Sequence, residues 1–211
     1  MRFSIKMAAA AAALAFAAPA AQAQFTFTGT TMGCFYGSAF GGTTSCTPAG
    51  ATTLSVGGSS LSFTGATLNQ LAINGMSSFN TATDNFGVFT LTQPASGQVD
   101  LGGNFFTLML NITNPAAASG TTSATITGAV NSLGASSVYI DFANNDFFAL
   151  TPASSGIRAQ VADLAVAVGT TNYANGRLAG SVVPEPSTYA LMGAGLAGLV
   201  GMARRRRQLA A

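Results

Sequence analysis

The chain has no histidine and no tryptophan, and its one lysine, Lys6, lies beside the N-terminus. Each absence removes a kind of chemistry. Without histidine, Ser-His-Asp and Cys-His nucleophile systems are excluded. Without a lysine in the body of the chain, Ser-Lys and Schiff-base mechanisms are excluded there as well. Cys34 and Cys46 are the only cysteines, and two thiolates without a histidine leave zinc short of ligands. Charge is also scarce, at 7% of 211 residues. No G-x-x-x-x-G-K-[ST] or G-x-G-x-x-G opens a helix, so nucleotide binding has no support, and no cofactor is called for. Carboxylates alone are left to carry acid chemistry.

Most of the basic residues that do occur stand at the two ends. Arg2 and Lys6 form a positive n-region, residues 7–18 form an apolar h-region, and Ala21-Gln22-Ala23 is an A-x-A cleavage pattern. This reads as a signal peptide over residues 1–23, cut between Ala23 and Gln24 and routed through the Sec pathway. A first transmembrane helix fits less well, because the run is short, alanine-rich, broken by Pro19 and followed by small residues.

Residues 184–211 contain three parts in order: Pro184-Glu185-Pro186, an apolar run to Ala203, and the cluster Arg204, Arg205, Arg206 and Arg207. Two prolines around one acid make a stiff, extended segment. As a helix, residues 187–203 would be about 26 Å long, at the short end for a hydrocarbon core of about 30 Å. Four arginines beyond it act as a stop-transfer signal by the positive-inside rule. The arrangement resembles the PEP-CTERM sorting signal of Gram-negative bacteria that make extracellular polysaccharide. Tyr189 stands where many members have tryptophan, and the three-part order is otherwise intact. The resemblance implies transient inner-membrane anchoring and recognition by exosortase, a membrane-embedded cysteine transpeptidase acting near Pro184-Glu185-Pro186. It further implies a product released to, or attached at, the cell exterior, with extracellular polysaccharide as a candidate partner.

Removing both ends inverts the charge. The precursor is formally +2, but the exported part, counted through Pro184-Glu185-Pro186, keeps Arg158 and Arg177 against Asp84, Asp100, Asp141, Asp146, Asp163 and Glu185, a net of −4. That excludes the basic footprint that nucleic-acid binding needs. Residues 24–183 are enough for one domain with a proper core. Their Thr, Ser, Gly, Asn and Ala content could mark a disordered linker, but regular apolar alternation favours a fold. In an oxidising compartment the isolated pair Cys34 and Cys46 reads as one disulfide, which would stabilise by about 3 kcal/mol in the chain-entropy model.

The periodicity is β throughout. Residues 25–28 alternate Phe with Thr, and residues 53–56 and 61–64 flank a Gly-Gly-Ser-Ser turn. Residues 86–92, 105–113, 123–130, 138–142, 147–151, 160–168 and 177–183 are the further strands, with 105–113 central. Residues 68–76 could instead form a short helix. The set predicts a single all-β domain, a β-sandwich or jelly roll, followed by one short C-terminal transmembrane helix.

One acidic constellation stands out: Asp141 and Asp146, with Asn144 and Asn145 between them. It could be a calcium loop through Asp141, Asn144 and Asp146, or a glycosidase pair, or a solvated turn. The turn is preferred, since Asn and Asp satisfy turn backbone locally and the D-x-[DN]-x-[DN]-G spacing is missing. Phe105-Phe106 and Phe147-Phe148 read as core plus a boundary residue rather than a sugar platform. The function expected is a non-enzymatic surface or matrix protein of an exopolysaccharide biofilm. A carbohydrate- or calcium-binding module comes second, and a carboxylate-only hydrolase last.

Overall fold

The computed structural model describes residues 24–42, 52–134, 136–143 and 146–180, together with Gly193, Gly195, Leu196 and Gly198 of the tail. The chain divides into one unit ending at Gly180 and a second starting at Ser181.

The described residues of the first unit are mostly β. Their sixteen strands begin with β1 (Phe25–Gly37), where Phe27, Gly29, Thr31, Gly33 and Phe35 point inward and Thr30 and Met32 outward. Period-two alternation of this kind buries one face of a strand and exposes the other. Strands β2 (Thr53–Val56) and β3 (Ser59–Thr64) pair antiparallel through the Gly57-Gly58 turn. Both turn residues have positive φ, 53° and 84°, the geometry of a type I′ hairpin, and only glycine adopts it without strain.

The alternative of a helix at residues 68–76 is not realised. That stretch is β4 (Thr67–Ala72), a turn at Asn74-Gly75 with φ of 55° and 76°, and the start of β5 (Met76–Phe79). Leu68 and Ala72 face the core while Leu71 is exposed, so the apolar spacing that suggested a helix belongs to two strands and a tight turn.

After β6 (Val88–Thr92) and β7 (Gln98–Asp100) comes β8 (Asn104–Asn114), the long apolar strand. It is interior, as expected, with β1 on one side and β9 (Ala118–Thr127) on the other. Next are β10 (Ala129–Asn131), β11 (Ser137–Phe142) and β12 (Phe148–Ala149). The single strand expected over 160–168 is two: β13 (Arg158–Val161) and β14 (Leu164–Ala167), in different sheets. β15 (Asn172–Tyr173) and β16 (Gly176–Ala179) complete the unit.

Six strands form the largest sheet, in the order β14-β11-β9-β8-β1-β4. Two four-stranded sheets, β15-β6-β3-β2 and β12-β13-β16-β5, pack on its inner face, and β10-β7 makes a small ribbon. One continuous core lies between the layers, giving a β-sandwich. Phe106 of the large sheet sits 4.8 Å from Phe63 and 4.9 Å from Phe89 of the opposite layer, ring centre to ring centre. Each fully buried phenylalanine contributes about 1.5–3 kcal/mol by leaving water.

Buried polar groups are tied down locally. The Thr31 hydroxyl donates to the Phe86 carbonyl at 2.7 Å and accepts from the Ala66 amide at 2.8 Å. Asn104 donates to the Leu101 carbonyl at 3.0 Å, and its Oδ1 accepts from the Ala39 amide at 2.9 Å, fixing the approach to β8. A buried amide satisfied in this way costs little and specifies one loop conformation.

Candidate functional site

Cross-strand register builds a row of unlike residues on the outward face of the six-stranded sheet. Tyr36 of β1 pairs with Phe105 of β8, Phe105 with Thr125 of β9, and Thr125 with Asp141 of β11. The rings of Tyr36 and Phe105 stack at 5.3 Å with an interplanar angle of 22°. Phe105 is 37% exposed, whereas its neighbour Phe106 is fully buried.

Beside this wall runs an open groove of about 490 Å³, lined by Tyr36, Phe105, Ser123, Thr125 and Asp141 among others. Ser123 and Thr125 are its hydroxyl floor, and Ser123 Oγ lies 3.2 Å from Thr107 Oγ1. Asp141 stands on the far side, exposed on the outer face of β11. Further along β8 and β9 the same face holds a second hollow of about 700 Å³, lined by Met32, Met109, Asn111, Ser119, Thr121 and others.

Asp163 anchors the neighbouring corner. Its Oδ1 accepts the Phe142 amide at 2.9 Å and its Oδ2 accepts the Tyr139 hydroxyl at 3.2 Å. Tyr139 is 44% exposed. Its phenol is nevertheless held above the ordinary tyrosine value, first by the loss of solvent around it, then by the negative charge and hydrogen bond of Asp163, and last by Asp141.

The opposite layer has a different outward face. A polar hollow of about 340 Å³ lies between Asn80, Gln160, Asn175 and Arg177 on the β13-β16-β5 side. Among the described residues, the buried Asn175 Oδ1 has no hydrogen-bond partner.

The expected site residues are scattered over these features. Asp141 belongs to the groove, Asp146 is exposed beyond it, and Asn144 and Asn145 lie outside the described residues. Among the described residues no three metal-ligating side chains come together. Cys34 is buried on the outward side of β1, while Cys46 lies outside the described residues. So do Ala21, Ala23, Pro184, Glu185, Pro186, Arg204, Arg205, Arg206 and Arg207. The expected transmembrane helix also falls there. The four described tail residues are helical, and among the described residues no helix is long and apolar enough to cross a membrane.

Phe105-Phe106, read as core plus a boundary residue, gave no sign of the wall that Phe105 forms with Tyr36 of another strand. The available signal was alternation: in a strand, Phe105 and Phe106 must face opposite ways.

Residues 182–207 match the PEP-CTERM protein-sorting motif. No curated protein and no solved structure matches the chain. The motif marks an exported, exosortase-processed surface protein whose precursor is anchored in the membrane before cleavage.

Proposed function

We infer that the β-sandwich is the cargo: a non-enzymatic surface or matrix component, exported by Sec, cut by exosortase near Pro184-Glu185-Pro186, and resident in an exopolysaccharide layer. The match over residues 182–207 carries this reading. The domain's composition supports it, because a chain without histidine and with lysine only at Lys6 lacks the usual bases and nucleophile activators. An unpaired, solvated aspartate has a pKa near about 4 and is a poor general acid at neutral pH. The reading includes a Cys34–Cys46 disulfide, favoured by the oxidising compartment, and a transient membrane helix ended by Arg204–Arg207.

Substituting Pro184→Ala together with Glu185→Ala tests it. The expected result is accumulation of the full-length precursor in the inner-membrane fraction, seen by fractionation and immunoblotting. Release of a shortened product at the normal level would remove the sorting reading. The purified protein should also show no glycosidase, protease or esterase turnover. A hydrolytic rate abolished by Asp141→Asn would overturn the non-enzymatic part alone.

A further inference from the structure

We propose that the outward face of the six-stranded sheet binds an uncharged, extended polysaccharide chain, with the Tyr36–Phe105 wall and Asp141 bounding its first subsite. This deepens the surface-protein reading and rests on it for the ligand's availability.

Four features of the face converge. The exposed part of Phe105, which lines the groove, offers a π-surface that attracts polarised C–H bonds, such as those on the apolar side of a pyranose ring. Ser123 and Thr125 on the floor both donate and accept hydrogen bonds, and Asp141 opposite accepts only. A ring with hydroxyls around its edge and C–H bonds on its faces satisfies all three groups at once.

Width is the second feature. From β8 to β11 the groove spans two strand spacings, roughly 10 Å at about 4.8 Å each, so a sugar ring can stand between Phe105 and Asp141. Length is the third. Along β8, Phe105 and Met109 are four residues apart, roughly 13 Å at about 3.4 Å per residue. On β8 and β1 the face between them is covered, Thr107 and its register partner Cys34 being buried, so the first groove and the Met109 hollow adjoin over the exposed Ser123 and Thr121 of β9.

Charge is the fourth. Both cations of the domain, Arg158 and Arg177, are exposed on strands of the other layer. The groove presents only the carboxylate of Asp141, with Asp163 nearby, which repels uronate or sulfated chains and accepts neutral ones. The site has no catalytic pair, because both oxygens of Asp163 are occupied by the Phe142 amide and the Tyr139 hydroxyl.

Affinity electrophoresis of the full-length chain in detergent is the test, in gels containing a neutral β-glucan, a galactomannan or dextran, beside alginate and polygalacturonate gels. At least one neutral polymer should retard the protein, and any retardation by the anionic gels, which Arg204–Arg207 of the uncut chain cause on their own, should be unchanged by Phe105→Ala. Phe105→Ala should weaken the retardation about tenfold, as expected for losing one aromatic contact. Thr125→Lys, at an exposed position, should weaken it too by filling the floor. Arg177→Gln should leave it unchanged. Retardation by no neutral polymer, neutral-gel retardation unaffected by both groove variants, or anionic-gel retardation that falls with Phe105→Ala would each overturn the site. Because the gel uses the uncut chain, its outcome is independent of whether exosortase processing occurs.

Discussion

Along β9 alone, the outward face of the six-stranded sheet carries Ser119, Thr121, Ser123, Thr125 and Thr127. The outward face of β13 and β16 carries Arg158, Gln160 and Arg177. Both faces stand on strands whose other sides enter the same core: Ala124 and Ile126 from one, Ala159 and Leu178 from the other. Alternation separates the two tasks. Inward positions are constrained by packing, and outward positions are free to take up different chemistry without altering the fold. The large sheet uses that freedom for hydroxyls, aromatic rings and acid, the smaller one for amides and guanidinium groups.

If the faces are two decorations of one core, damage to that core should abolish both together. Phe106→Ala should cost about 3–5 kcal/mol, in a single denaturant transition. Phe105→Ala, one residue away on the opposite side, should cost under about 1 kcal/mol, as an exposed truncation does. Two separate transitions for the Phe106 variant would show that the layers fold independently and break the comparison.

A smaller loss is expected from overfilling the same contact. A methyl group at Gly33 would run into the rings of Phe106 and Phe63. Gly33→Ala should therefore cost about 1–3 kcal/mol, read as a lowered midpoint in urea. An unchanged midpoint would mean that these rings yield, and that the core is looser than its close ring contacts indicate.

The smallest effect concerns the corner between the faces. Tyr139 has a raised phenol pKa, so the folded state favours its neutral form. Its contribution is complete at neutral pH and is lost as pH rises through the raised value, above the ordinary tyrosine value of about 10. The difference between the phenolate absorbance titrations of the parent and Tyr139→Phe should have its midpoint above that ordinary value. A midpoint at or below it would show that Asp163 does not act on the phenol.

What could be read in advance depended on how local each signal is. The Gly57-Gly58 hairpin and the long strand β8 were legible because turn glycines and an apolar run speak for themselves. Residues 68–76 misled because Leu68, Leu71, Ala72 and Met76 also fit a helical spacing, and only the turn at Asn74-Gly75 separates the two strands. Residues 160–168 misled because the crossing between sheets at Ala162-Asp163 has neither glycine nor proline. The sorting tail was legible because order along the chain is its whole message. The groove was not, since Tyr36, Phe105, Thr125 and Asp141 come from four strands and meet only once the register is known.

The manner in which the chain leaves the sandwich has a mechanical consequence. The last strand, β16, is not at an edge: it is paired over Gly176–Ala179 with β13 on one side and β5 on the other, and the Gly180 amide adds a bond of 2.8 Å to the Gly75 carbonyl. A tug on the tail therefore cannot peel a border strand away one bond at a time. It loads two ladders in parallel, so the bonds on both sides of β16 must give way before the strand comes free. A domain hauled by its C-terminal end is held at the point where traction enters it.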